Sequence, residues 1–74
     1  MTNARERART MLDKAICIAT DGFFGLDDLP DTPMVMNATD EIEGALSRSH
    51  KLAAKMAMRW AEEITEDEGE LFFD

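Results

Sequence analysis

Tyrosine is absent from this sequence, cysteine and histidine occur once each, and proline only twice. A single cysteine, Cys17, allows no internal disulfide, which fits a reducing cytoplasm. With only His50 and Cys17 available, no pair of soft ligands stands at metal-binding spacing. Neither a Gly-rich phosphate loop nor a nucleophile elbow occurs. Carboxylates are plentiful, yet no spacing sets two of them across a dry cleft, as acid–base work requires. These absences predict a protein that is not an enzyme and uses no cofactor and no metal. No apolar run approaches the roughly 20 residues of a membrane span. The first residues also lack the pattern of a signal peptide. No membrane association and a cytoplasmic location are the expectations.

Cationic residues are missing from positions 21–47, which hold seven acids. The last stretch, 62–74, holds seven more acids and again no cation. Between them, 48–61 carries Arg48, Lys51, Lys55 and Arg59 without a single acid. The net charge of −8 over 74 residues repels nucleic acid and anionic lipid at long range and favours a basic protein surface. Arg48, Lys51, Lys55 and Arg59 step by three and four along one side of a helix. Alone they would suit phosphates; between acidic flanks, they are expected to meet the chain's own acidic loop or tail, or those of a second subunit.

What the sequence does contain is helical periodicity. Asn3 and Glu6 have capping-box spacing ahead of a first helix from about Ala4 to Thr20. Its apolar face comprises Ala8, Met11, Leu12, Ala15, Ile16, Ile18 and Ala19, with Arg7, Arg9, Asp13 and Lys14 opposite. Cys17 projects to that polar side, either accessible or a small hydrophobe at a covered edge. Asp21-Gly22 supplies the left-handed stop. A second, longer helix is predicted over Thr39–Glu66. Its stripe is Ile42, Ala45, Leu46, Ala53, Met56, Ala57, Trp60 and Ile64. Asn37 or Thr39 would cap it, with Asp40, Glu41 and Glu43 at the favourable end of its dipole. His50 falls off that stripe, as an ordinary surface histidine.

The connection between the helices is long and apolar. Pro30 and Pro33 disfavour regular helix there, a short turn is predicted at 26–29, and Phe23, Phe24, Leu26, Leu29, Met34, Val35 and Met36 form either a lid or an exposed binding loop. Asp27, Asp28 and Asp31 lack the alternation of a calcium loop and read as a solvated turn. At the far end, Glu62, Glu63, Glu66, Asp67 and Glu68 crowd the unfavourable end of the helix dipole. Leu71, Phe72 and Phe73 follow, in an acidic, aromatic tail at 69–74.

The predicted architecture is all-α: a helical hairpin over 1–68, built as short helix, long loop and long helix. Two hairpins would pair into a four-helix bundle, because each apolar face is wider than one partner helix covers. Leu12, Ile16, Ile42, Leu46, Ala53, Met56, Trp60 and Ile64 would form the core and dimer interface. A monomer with the loop as its third layer is the alternative. The predicted function is a small acidic protein-binding module that inhibits or modulates a basic partner, for example a nucleic-acid-binding transcription regulator. In size and acidity it is similar to small phage- or plasmid-encoded antagonists of host proteins, without any motif in common. Glu62, Glu63, Glu66, Asp67, Glu68, Phe72, Phe73, Phe24 and Leu29 are the expected contacts. A structural subunit of a larger assembly is the other class.

Overall fold

Three helices, with no strand among the described residues, make up the fold; the computed structural model describes residues 3–29 and 31–67. Helix α1 spans Ala4–Ala19, and the Asn3 side chain caps it by accepting from the Glu6 N–H at 2.8 Å. It stops where the sequence predicts. Asp21 and Gly22 both take positive φ, 55° and 84°, and the Gly22 N–H closes the turn on the Cys17 carbonyl at 2.6 Å. This is the six-to-one bond of a left-handed helix end. The Thr20 hydroxyl donates to the Ile16 carbonyl and accepts from the Phe24 N–H, which directs the chain into a 3-10 turn at Leu26–Asp28.

Pro33 does not prevent a helix; it begins one. Helix α2 spans Pro33–Leu46, with Thr32 Oγ1 accepting from the Val35 N–H at 3.3 Å. Proline at the first helical position loses no hydrogen bond, and its φ is already helical. Thr39, expected as a cap, is instead buried in mid-helix, where its hydroxyl donates to the Val35 carbonyl at 2.9 Å.

The predicted continuous helix over Thr39–Glu66 is two helices. α2 ends at Leu46, and α3 spans His50–Asp67. Ser47 Oγ donates to the Gly44 carbonyl at 2.7 Å, and Ser49 Oγ accepts from the Leu52 N–H at 3.3 Å. Serine hydroxyls at both sides of the break thus satisfy backbone groups that a helix end leaves unpaired. The apolar stripe explains why breaking is favourable. Between Leu46 and Ala53 it has a gap, since Ser49 and His50 occupy the next positions on that face. Folding back at the gap lets the two halves of the stripe bury each other.

Arg5 reaches Asp40 and Glu43, so the start of α1 lies beside the second half of α2. Trp60 meets Glu41, so α3 returns antiparallel along α2. α1 and α3 therefore run in the same direction, each packed on the other and on α2. In place of a two-helix hairpin, three helices and the loop enclose a core of thirteen apolar residues among the described ones, including Leu12, Ile16, Ile42 and Ile64. Seven of the thirteen are alanines, so the helices approach closely and the core contains few large side chains. Each large one therefore carries a sizeable share of the stability.

Candidate functional site

Two grooves between helices gather the exposed side chains that the core does not use. The larger, of about 490 Å³, lies between α1 and α3. Met11, Ala15 and Ile18 of α1 face Ala54, Ala57 and Met58 of α3 across it. Among the described residues its polar lining is Thr10 with Arg7, Lys14 and His50, without a carboxylate. Ile18, on the apolar face of the first helix in sequence, is 64% exposed, and Met58 is 38% exposed. The sequence reading missed this groove. Its signal was the alternation Arg7, Met11, Lys14, Ile18 at steps of four and three, which puts cations and apolar groups on one edge of α1.

The second groove, of about 280 Å³, lies between α2 and α3 and is lined by Glu41, Met56, Arg59, Trp60 and Glu63. The Trp60 indole N–H donates to Glu41 Oε2. This fixes a half-buried aromatic beside one carboxylate, with Arg59 and Glu63 lining the same groove. Next to it, Leu52 is 39% exposed beside Met56 and Arg48.

The residues expected at a dimer interface divide into two groups. Leu12, Ile16, Ile42, Ala53 and Ile64 are fully buried within one chain, so they are core and offer nothing to a second copy. Leu46, Met56 and Trp60 are half-buried at its edge. Among the expected partner contacts, Glu62, Glu63 and Glu66 are exposed on α3, and Asp67 is the last residue of that helix. Phe24 and Leu29 are half-buried at the loop, while Glu68, Phe72 and Phe73 lie outside the described residues. The loop is only partly a lid: Leu26 and Val35 are buried, whereas Phe23 is 81% exposed and Met36 48%.

Charge is arranged differently from expectation. Asp40 and Glu43 lie in the second half of α2 rather than at a helix start, and they flank Arg5 at 2.7 and 3.8 Å. The hydrogen bond that Arg5 donates to Asp40 raises the Arg5 pKa above its ordinary value, with the charges of Asp40, Glu43 and Asp31 adding and partial desolvation opposing. These are the ion pairs among the described residues. The basic stripe therefore does not meet the acidic loop. Arg48 sits in the turn before α3, and Lys51, Lys55 and Arg59 continue along the exposed face of that helix. Cys17 is half-buried, near Gly25.

Among the described residues no three His, Cys, Asp or Glu side chains cluster as a metal site, and no helix is long and apolar enough to cross a membrane. No known protein family matches the sequence, and neither a curated protein nor a solved structure is similar to it.

Proposed function

We propose that this chain is a non-enzymatic, acidic protein-binding module that occupies a basic surface of another protein and so inhibits or modulates it. A nucleic-acid-binding regulator in the cytoplasm is the kind of partner envisaged, in the manner of a phage- or plasmid-encoded antagonist. The observation that carries this reading is Trp60, half-buried and tied to Glu41 on the α2–α3 face, with Glu63 lining the same groove. A rigid aromatic beside a carboxylate suits a Lys or Arg side chain, which gains both a ring face and a counter-charge. Glu63, exposed at that groove and engaged by no described ion pair, adds negative potential that would speed the encounter.

The test is capture of partners from lysate at low and high salt. A basic protein that is retained at low salt and released at high salt supports the reading, and replacing Glu63 with Gln should weaken that capture. Salt-insensitive capture of an apolar partner would replace it with the second reading, a structural subunit. That alternative rests on Phe23 and Met36, the exposed apolar side chains of the loop and the start of α2. The proposed working form is a homodimer.

A further inference from the structure

α3 carries its exposed charges against its own dipole. Lys51 and Lys55 occupy its first two turns, towards the positive helix end, and Glu62, Glu63 and Glu66 its last two, towards the negative end, with Arg59 at the middle. Both placements are unfavourable for an isolated helix. No described ion pair relieves either set. Arg59 and Glu63 line the α2–α3 groove, whereas Met58 lines the α1–α3 groove with the exposed Ile18 and the cationic Arg7 and Lys14. On α3, Lys51, Lys55, Met58 and Glu62 recur at steps of four and three, so they share one edge of the helix bordering that groove.

We propose that a second copy of this chain covers the groove, with the two α3 helices packed antiparallel about a two-fold axis between Met58 and Arg59. The numbering itself supplies the register. Lys55 and Glu62 are equidistant from that point, and so are Lys51 and Glu66. Antiparallel pairing therefore sets Lys55 opposite Glu62 of the other copy and Lys51 opposite Glu66, and the symmetry repeats both pairs. The two helix dipoles also oppose, so each misplaced charge block gains both a counter-charge and a favourable helix end. Because α1 runs parallel to α3, the incoming acids arrive at the end of the groove rimmed by Arg7 and His50. Met58 of each copy meets its equivalent at the axis, over Ile18 and Met11. The assembly is a four-helix layer ordered α1, α3, α3, α1. It differs from the bundle expected from the sequence, since Leu12, Ile16 and Ile42 stay inside each chain.

Exposed ion pairs contribute little each, so the apolar strip supplies affinity while the charges set orientation. The test is sedimentation equilibrium of the full chain and of two charge-reversed variants, one with Lys51→Glu and Lys55→Glu, the other with Glu62→Lys and Glu66→Lys. The expected result is a wild-type dimer whose dissociation constant rises with salt. Each variant alone should dimerise more than about tenfold more weakly, and an equimolar mixture should recover a heterodimer. A second measurement does not depend on the charges: with Cys17→Ser, Met58→Cys should form a disulfide-linked dimer under mild oxidation, whereas Phe23→Cys should not. A wild-type monomer at millimolar concentration overturns the proposal and leaves the groove to an acidic segment of another protein. Variants that dimerise as tightly as wild type, or a mixture that does not associate, overturn it too.

Discussion

The Trp60 indole N–H donates to the Glu41 carboxylate, tying the middle of α3 to the middle of α2 through a contact that a continuous helix would make impossible. Both residues lie in the segment predicted as one helix. Trp60→Phe keeps most of the packing and removes the donor, so it should cost about 1 kcal/mol. Trp60→Ala also removes the ring and should cost roughly 2–3 kcal/mol, below a fully buried tryptophan because the indole is half-exposed. Urea unfolding followed by far-UV circular dichroism measures both; equal losses for the two variants would show that the ring contributes no packing.

Asp13 determines where the loop begins. Its Oδ1 accepts from the Leu26 N–H at 2.7 Å, and a Cβ added to Gly25 would lie 2.6 Å from the same oxygen. Asp13→Ala should cost about 1–2 kcal/mol by leaving the Leu26 N–H without its partner. Gly25→Ala should destabilise by displacing that carboxylate, and in the Asp13→Ala background it should cost much less. Additive losses in this double-mutant cycle would mean that the two residues are not coupled.

Ile42 tests whether the core belongs to one chain. It is fully buried between the helices, so Ile42→Ala should cost about 2–5 kcal/mol, and Ile42→Asp should unfold the protein at every concentration. Met56→Asp, at a half-exposed site, should leave it folded. A folded monomer from Ile42→Asp would instead place this residue at an interface between copies.

Ser49 begins α3. Ser49→Ala removes the oxygen that accepts from the Leu52 N–H and should cost about 1 kcal/mol. Ser49→Asp should retain the cap and add a favourable charge at the helix N-terminus, so it should match or exceed wild-type stability. Thermal melts of the two variants decide the matter, and a loss from Ser49→Asp as large as from Ser49→Ala would show that no cap operates there.

Local chemistry determined much of this fold, and the sequence displays it. The all-helical content, the cap at Asn3 and the left-handed stop at Asp21 and Gly22 all depend on residues within a few positions of one another, whereas the turn near Leu26 also donates a hydrogen bond to Asp13. The start of α2 is equally local, in the pair Thr32-Pro33, although proline reads as a breaker unless it is recognised as a first helical residue. The break at 47–49 needed tertiary structure. Its serines are tolerated inside a helix, and the gap in the stripe acts only once there is another surface for the second half to pack on. The same holds for the sites. Glu62, Glu63 and Glu66 are exposed because no apolar face claims them, and periodicity alone shows that. Ile18 belongs to an apolar face in sequence, yet it lines an open groove because α3 covers α1 with small Ala54 and Ala57 there, and only the packing of whole helices decides which part of an apolar face is left over.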